Sequence, residues 1–301
     1  AIFGTVYHVK YQYGSSLHAD IMERLLAVDS SLSMFNKQST VSRINSGESL
    51  QTDSLLEMVF QFSRSISEAT NGAFDVTVSP LVNAWGFGFK HDQWPDTATV
   101  DSLRQLVGWQ KVSIHNHQLQ KADPRMVLDF GAVAKGFGVD EVASLFRSKG
   151  IKNFMIEIGG EIVSSGQNPK GAPWRIGINK PDDDPNNLSS EMQDIIELNN
   201  CAIATSGNYR NFYYKDGKKY AHTIDPHTGY PVQHNILSAT VLANDCATAD
   251  AYATAFMVMG LDKATKLLEK HPELMAYFIY SDHKGNNKVW FSPTLKEKIV
   301  K

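Results

Sequence analysis

Apolar residues recur along the chain at two spacings, and the longer spacing predicts six helices. In each of these segments apolar residues return every three or four positions, as on one face of a helix. The segments are SLHADIMERLLAVDSSLS, TDSLLEMVFQFSRSISEATNGAF, TATVDSLRQLVG, VDEVASLFRSKG, CATADAYATAFMVMG and LDKATKLLEKHPE. Asn71-Gly72 ends the second and Gly150 ends the fourth, since both are helix-stop signals.

Shorter apolar segments bounded by turn residues predict strands. They are residues 2–11, NFMIEIGGEIVSSG, WRIGINKP, AIATSG, RNFYYKDGKKYAHTID, LSATVLAN and MAYFIYSDHKGNNKVWFS. KVSIHNHQLQK and RMVLDF are expected to pair as a hairpin, and DVTVSPLVNAWGFGF to be a short strand entering a loop. Hairpins dominate and strict βαβ alternation is absent, so we expect an α+β fold of mainly antiparallel sheets flanked by helices. We expect residues 1–301 to form one domain, with NKPDDDPNNLSSEMQ as a surface loop.

Composition and charge narrow the classes of partner. The 301 residues are 42% hydrophobic, and 29 Lys and Arg against 32 Asp and Glu give a net charge of −3. Without a basic tract, a nucleic-acid partner has no electrostatic support. No apolar run approaches the roughly 18 residues that a membrane-spanning helix needs. Cys201 and Cys246 lack metal-ligand spacing, and two buried free thiols are favoured over one disulfide.

The stretch DFGAVAKGFGVD raises the question of a phosphate-binding loop. Lys135 precedes Gly136, and Phe137 follows it, so the order of a P-loop is not met, and GxGxxG is also absent. The stretch nevertheless runs from the predicted strand MVLDF, ending near Asp129, into a helix whose free N–H groups attract anions. An anion site with Lys135, and a plain turn with structural glycines and a solvated lysine, both remain open.

A second candidate is Asp250 in the apolar helix TADAYATAFMVMG. We expect it in the first helical turn, with Thr254 four residues on and therefore on the same face. Its small and apolar neighbours indicate burial, and a buried carboxylate needs a partner such as a cation. A carboxylate and a hydroxyl are hard oxygen ligands that suit Mg²⁺. The alternative is an ordinary acidic residue at a helix N-terminus.

A third cluster is YAHTIDPHTGYPVQHN, which holds three histidines without zinc-type spacing. DPHTG predicts a tight turn, with Pro226 fixing φ and Gly229 taking an unusual backbone conformation. His222, on the strand before the turn, is the better chemical candidate.

Together these segments resemble the ApbE-type FAD:protein FMN transferases. FGTVYHVKY, SMFNKQSTVSRIN, NGAFDVTVSPLVNAWGFG, LDFGAVAKGFGVD, EIGGEIVSSG, HTIDPHTGYPV and TADAYATAFMVMG occur in this order, over about residues 3–260. The resemblance implies a T-fold-related α+β unit of two joined halves with flavin in a central cleft. It also implies Mg²⁺-dependent transfer of FMN from FAD to a Thr or Ser of a target protein, with release of AMP.

The resemblance also implies roles for individual residues. Asp129 and Lys135 would contact FAD, and the carbonyl of Ala132 would join Asp250 and Thr254 around the metal.

The other implied FAD contacts are Phe3, Phe35, Ala84, Trp85, Gly86 and His222. Phe3 stands where Met is common, and Phe35 stands where Tyr is common, which keeps stacking and loses a phenol. Phe35 and Trp85 could bury the faces of the isoalloxazine. Glu157 and Glu161 flank Gly159-Gly160, where Asn and Asp are usual, so the local pocket is expected to differ. His222 or Asp225 could accept the proton of the attacking hydroxyl.

Other functions compete with transfer. One is an FAD pyrophosphatase with the same metal site, and another is a non-catalytic lipoprotein that stores FAD. A domain with purely structural glycines is the remaining alternative. The family resemblance implies a lipid-anchored enzyme at the periplasmic face of the bacterial inner membrane, with redox-pump subunits as acceptors.

Overall fold

The computed structural model describes residues 2–88, 94–181, 191–208, 212–215 and 218–300. The chain forms two compact units, each assembled from stretches that are distant in sequence. Unit 1 comprises Ala1–Leu26, Lys135–Arg210 and Asn235–Lys301, and unit 2 comprises Ala27–Ala134 and Asn211–His234.

The described residues contain eight α-helices and two short 3-10 helices, at Trp109–Lys111 and Pro293–Lys298. The α-helices are α1 (His18–Leu32), α2 (Thr40–Asn45), α3 (Ser54–Ala69), α4 (Ser79–Ala84), α5 (Thr97–Arg104), α6 (Ala134–Ser148), α7 (Cys246–Met259) and α8 (Leu261–Leu268).

Fourteen strands lie in the same part of the chain. They are β1 (Tyr7–Tyr11), β2 (Val112–His115), β3 (Gln118–Lys121), β4 (Phe154–Ile158), β5 (Glu161–Ser165), β6 (Trp174–Asn179), β7 (Met192–Leu198), β8 (Ala202–Gly207), β9 (Phe212–Lys215), β10 (Lys218–Ala221), β11 (Ile236–Ala243), β12 (Met275–Ser281), β13 (Asn287–Phe291) and β14 (Ile299–Val300). All pairings recorded between these strands are antiparallel. The predicted α+β class with antiparallel sheets is confirmed.

Unit 1 is built on a seven-stranded sheet with the order β1-β4-β5-β8-β11-β12-β13. Alternate residues of its strands face opposite sides, as the two-residue period of a strand requires. On one side, Ile156 and Ile158 of β4 pack with Ile21 of α1 and with Val139 and Phe146 of α6. This helix-covered face places the beginning of α6 beside the sheet.

The other side of the large sheet is covered by a three-stranded sheet with the order β14-β7-β6. Met155 and Ile162 of the large sheet pack with Ile196 and Leu198 of β7 in one buried cluster. Because both faces are covered, β11 is buried along most of its length and β8 over its first three residues.

Unit 2 contains the hairpins β2-β3 and β9-β10 and the helices α2 to α5. One of its apolar clusters joins Leu81, Trp85, Val100, Val107 and Ile224. The cluster therefore brings α4 and α5 together with the chain that follows β10.

Helix boundaries follow the residues that satisfy their free backbone groups. Asp53, Asp96 and Asp245 are N-caps whose carboxylates accept from the backbone N–H three residues on. Asn71 and Gly72 have positive φ values of 51° and 78°, which confirms the predicted end of α3.

The predicted strand in DVTVSPLVNAWGFGF is wrong. Asp75 Oδ1 accepts from the backbone N–H of Thr77 at 2.8 Å and from its hydroxyl at 2.6 Å, which turns the chain. Pro80 then lies in the first turn of α4, where its missing N–H has no consequence. The apolar residues that suggested a strand belong to a turn and a helix.

The predicted strand in RMVLDF, and its pairing with KVSIHNHQLQK, are also wrong. KVSIHNHQLQK folds on itself as the hairpin β2-β3, turning at Asn116 and His117, which both have positive φ. The backbone N–H and carbonyl of Leu128 bond to the side-chain amide of Asn45, at 2.8 and 2.7 Å. One side chain thus replaces the strand partner that the sequence analysis expected.

The sequence analysis did not predict the helices α2 and α4, the strands β7 and β14 or the two 3-10 helices. β7 begins inside the polar tract NKPDDDPNNLSSEMQ, of which residues 182–190 lie outside the described part of the chain. The predicted Asp216-Gly217 turn also lies outside it, although β9 and β10 pair as expected. Cys201 and Cys246 are buried free thiols, as predicted. In the described ranges no helix has the length and apolar character to cross a membrane.

Candidate active site

In unit 1 the first turn of α6 lies against the beginning of α7. The N–H of Gly136 donates to Oδ2 of Asp250 at 3.1 Å. A Cβ on Gly136 would lie 2.4 Å from the carbonyl oxygen of Cys246 and 2.9 Å from Cα of Ala247. Glycine is therefore required for this approach, and the two predicted site segments meet here despite lying 114 residues apart.

A second contact between these helices comes from Asp140. Its carboxylate accepts from the backbone N–H groups of Cys246, at 2.9 Å, and Ala247, at 2.8 Å. The N-cap Asp245 accepts from Thr248 at 2.8 Å, so three of the four free N–H groups that begin a helix are satisfied. Sequence reasoning missed Asp140, and the available signal was an acidic residue among the buried positions of α6.

The position of Asp250 on its helix differs from the prediction. α7 begins at Cys246, and its first turn contains no acidic residue, so Asp250 lies in the second turn. The helix N-terminus therefore does not account for this carboxylate. The predicted burial is confirmed, since Asp250 is only 4% exposed.

Lys135 forms a largely buried ion pair with Glu161, the first residue of β5. Nζ lies 2.6 Å from Oε1, and the two side chains are 31% and 3% exposed. Oε2 of Glu161 is buried and has no hydrogen-bond partner. The lysine is therefore not the solvated side chain of the alternative interpretation.

Three charged side chains form a cluster in which they shift one another's pKa values: Lys135, Glu161 and Asp250. Burial, followed by repulsion from Glu161, raises the pKa of Asp250 to about 8, while Lys135 opposes the shift. Burial also raises the pKa of Glu161, against the attraction of Lys135. Burial alone would lower the pKa of Lys135, but Asp250 and Glu161 outweigh it and raise that pKa. The cluster therefore has more negative than positive charge at alkaline pH and would gain from a bound cation.

Thr254 lies one turn after Asp250, and its hydroxyl is 3.3 Å from the hydroxyl of Ser206 on β8. Carboxylate and hydroxyl oxygens are the ligands that Mg²⁺ prefers. Within the described part of the chain, no three His, Cys, Asp or Glu side chains form a metal-binding group. The residues present fit a magnesium ion whose remaining ligands are backbone, water or substrate oxygens.

In unit 2, Asp129 and Ala132 lie in the turn before α6. The N–H of Asp129 donates to the carbonyl of Val76 at 2.7 Å, and its Oδ1 accepts from Gly131 at 2.8 Å. Burial raises the pKa of Asp129, although the Gly131 N–H opposes this shift. The contact of Asp129 with FAD and the metal bond of the Ala132 carbonyl stay predictions.

Ala84 ends α4, and Trp85 and Gly86 follow it in unit 2. The Trp85 indole is 5% exposed and donates from Nε1 to the carbonyl of Gly229 at 2.8 Å. Its ring packs against Trp94 and Tyr230, with centroids 5.3 and 5.5 Å away. The indole is thus buried among aromatic neighbours, and the flavin contacts of Ala84, Trp85 and Gly86 stay predictions.

The two predicted aromatic contacts at Phe35 and Phe3 differ in exposure. The Phe35 side chain in unit 2 is 76% exposed, as a stacking platform requires. Phe3 in unit 1 has a positive φ of 53°, and a Cβ on Gly138 would lie 2.8 Å from its Cε2. Phe3 is thereby packed against α6.

His222 and Asp225 flank Ile224 in unit 2. The ring of His222 is edge-on to Phe87, with centroids 6.4 Å apart. Asp225 Oδ1 lies 2.9 Å from the N–H of His227 and 3.1 Å from its Nδ1, and Gly229 has a φ of 79°. The predicted turn is confirmed and uses the Asp225 carboxylate, while the catalytic roles of His222 and Asp225 stay predictions.

The residues described above lie in a region that is similar to known proteins. The sequence model of the ApbE family matches residues 3–278. The chain is 38% identical over 301 residues to a protein of Haemophilus influenzae named FAD:protein FMN transferase, covering 94% of this chain and 85% of that protein. A protein of Vibrio cholerae with the same name is 40% identical over 285 residues, covering 90% and 84%.

Solved structures agree with these sequence relatives. The structure titled flavin transferase ApbE from Vibrio cholerae superposes with a TM-score of 0.88 at 37% identity, covering 99% of this chain and 97% of that one. The match therefore extends over both units of the chain.

Proposed function

The chain belongs to the ApbE family and is a flavin transferase, and from this premise we propose that it moves FMN from FAD to a Thr or Ser hydroxyl of a target protein. The hydroxyl oxygen would bond to the phosphorus of the FMN half. The pyrophosphate bond would break, and AMP would leave. The observation that carries this proposal is the presence of Lys135, the buried Asp250 and Thr254 in a chain that matches the family from residue 3 to residue 278.

The charge of the substrate explains why these residue types are needed. The pyrophosphate of FAD is an anion and repels an attacking oxygen, so its charge must be neutralised in the transition state. The ammonium of Lys135 can bind one phosphate oxygen, and its raised pKa keeps it charged across the physiological range.

We propose Mg²⁺ at Asp250 and Thr254, where it would polarise the phosphoryl oxygens. Asp250 offers a buried carboxylate that Gly136 orients through its N–H. Thr254 offers a hydroxyl that Ser206 holds at 3.3 Å.

The proton of the acceptor hydroxyl needs a base, and we propose His222 for this role. Asp225 Oδ1 already contacts the backbone N–H and the ring Nδ1 of His227, so this oxygen takes part in the turn. His222 is half-buried, and an imidazole nitrogen that carries no proton can accept one from the hydroxyl.

The two alternative activities differ from transfer in one observable each. A pyrophosphatase would use water in place of the target hydroxyl and release AMP without labelling a protein. A storage protein would bind FAD and release nothing. The retained Asp250 and Thr254 favour the enzymes, since storage needs no metal on the pyrophosphate.

The test is an assay of the purified chain with FAD, Mg²⁺ and a target-domain peptide that carries an acceptor Thr. We expect AMP in the supernatant and covalent flavin fluorescence on the peptide in equal amounts. A peptide with Ala in place of the acceptor Thr is the matched control and is expected to stay unlabelled. AMP without labelling would establish the pyrophosphatase, and FAD binding without AMP would establish storage.

We propose redox-pump subunits as acceptors and a lipid-anchored position at the periplasmic face of the inner membrane. The support for both is membership of the family. Fractionation of cells that produce the full precursor tests the position, and recovery in the cytosolic fraction would contradict it.

A further inference from the structure

The ion pair between Glu161 and Lys135 is at odds with a simple role for the lysine. If the Lys135 ammonium neutralises the pyrophosphate of FAD, a carboxylate 2.6 Å from it weakens that effect. Within the described part of the chain, Glu161 is the one carboxylate within 4 Å of this ammonium.

The buried carboxylate of Glu161 also destabilises the folded state. Its side chain is 3% exposed, and Oε2 has no hydrogen-bond partner. A buried carboxylate oxygen without a hydrogen-bond partner destabilises the folded state. Packing alone would favour an apolar residue at this position, so the carboxylate indicates a functional requirement.

The requirement is visible in the surroundings of Lys135. Lys135 directly precedes Gly136, whose N–H donates to Oδ2 of Asp250 at 3.1 Å, so a second carboxylate contacts the same turn of α6. Asp250 already attracts Lys135 electrostatically. The lysine side chain is flexible and would turn towards Asp250 if Glu161 did not hold it.

We propose that Glu161 is a positioning residue that holds the Lys135 ammonium away from Asp250. The ammonium then keeps its remaining N–H groups for the phosphate oxygens of FAD, and the Asp250 carboxylate is left for a cation. This inference rests on the proposed function, because it takes the pyrophosphate as the partner of Lys135.

The experiment measures FAD affinity in EDTA by quenching of flavin fluorescence, so that neither metal nor turnover contributes. Glu161→Gln removes a negative charge, which by electrostatics alone would strengthen the binding of anionic FAD. If Glu161 positions Lys135, the variant instead binds FAD about threefold to tenfold more weakly, because the ammonium pairs with Asp250.

The same substitution is then made in a Lys135→Met background. With no ammonium to position, only the loss of negative charge remains, and Glu161→Gln leaves FAD binding unchanged or strengthens it about twofold. The sign of the effect thus reverses with Lys135. Glu161→Asp keeps the charge and is expected to bind FAD closer to wild type than Glu161→Gln does.

Glu157→Gln is the matched control. Glu157 lies on the other side of Gly159-Gly160 and pairs with His8 at 3.2 Å, so this variant removes the same charge without touching Lys135. We expect FAD binding to change less than about twofold.

Two results would overturn the proposal. Stronger FAD binding by Glu161→Gln in both backgrounds would show that Glu161 acts on FAD only through its negative charge. Equal weakening in both backgrounds would make its role structural, which circular dichroism and thermal unfolding of each variant would confirm. The proposed function fails separately, if the wild type binds FAD and releases neither AMP nor labelled peptide. A wild type that does not bind FAD would overturn both.

Discussion

The ionised form of Asp250 is destabilised at the very position where the proposed metal needs it. Burial and the repulsion of Glu161 raise its pKa to about 8. Asp250→Asn keeps an oxygen for the Gly136 N–H and removes the charge. Without metal at pH 8, we expect its unfolding free energy to exceed that of the wild type by about 1 kcal/mol or more, because the variant has no charge to bury. AMP release in Mg²⁺ is expected to fall at least about a hundredfold.

Urea unfolding in EDTA and the AMP assay measure the two effects. Asp262→Asn makes the same chemical change at an exposed position in the first turn of α8. It should leave AMP release unchanged and lower the unfolding free energy by less than about 1 kcal/mol, because it removes a favourable charge at a helix N-terminus. A destabilised Asp250→Asn variant would show that the carboxylate stabilises the fold, and full turnover would remove Asp250 from the metal site.

Properties of single residues could be predicted where their neighbours in the sequence determine them. The burial of Asp250 could be predicted because small and apolar residues surround it in sequence. Its partners could not, because Gly136 lies 114 residues away and the Lys135–Glu161 pair spans 26. Asp140 escaped for the same reason, since its partners begin another helix 106 residues on.

At the scale of elements, the contact between α6 and α7 depends on one missing side chain. Gly136→Ala would place Cβ 2.4 Å from the carbonyl oxygen of Cys246, and a backbone atom cannot rotate away. Alanine favours a helix by about 1 kcal/mol over glycine, while overpacking costs about 1–3 kcal/mol. We expect a net destabilisation of up to about 2 kcal/mol, with a marked loss of transfer, because α7 carries Asp250 and Thr254.

Thermal unfolding and the labelling assay test this variant against Gly14→Ala. Gly14 belongs to the same unit, and a Cβ there would meet nothing within 4 Å. Wild-type stability and transfer in Gly136→Ala would show that the two helices separate without consequence.

Helices and strands were predicted correctly where the local sequence pattern agreed with the hydrogen bonds that the backbone forms. The six predicted helices form because their apolar period and end signals agree, as at Asn71-Gly72. RMVLDF has the composition of a strand, but Asn45 takes the hydrogen bonds of Leu128. That side chain lies 83 residues away, so the sequence around Leu128 gave no sign of it.

At the scale of the whole molecule, local hairpins made the α+β class predictable, and the family resemblance implied two joined halves. The bounds of the two units could not be predicted. The two units are assembled from five stretches. Two of the four boundaries fall at Leu26 inside α1 and at Ala134 on the first residue of α6, where no linker composition marks a change.

The stability of the whole chain should also depend on pH through its buried acids. Burial raises the pKa of Asp140 to about 7, although the N–H groups of Cys246 and Ala247 oppose the shift. The folded state therefore holds this proton more tightly than the unfolded state. By linkage, its contribution to stability is complete below the unfolded pKa of about 4 and declines as pH rises towards 7.

Asp140→Asn isolates this contribution from that of the other carboxylates. Its amide cannot titrate and keeps one oxygen for the N–H groups of α7, so any constant loss is the same at every pH. The unfolding free energy of the wild type minus that of the variant is expected to decrease between pH 4 and pH 7 and to level off above. Within that window the decrease approaches about 1.4 kcal/mol for each step of one in pH. Urea unfolding in EDTA at pH steps measures it, with Asp101→Asn as an exposed control. A difference that increases with pH would mean that the N–H groups of α7 stabilise the ionised carboxylate more than burial destabilises it.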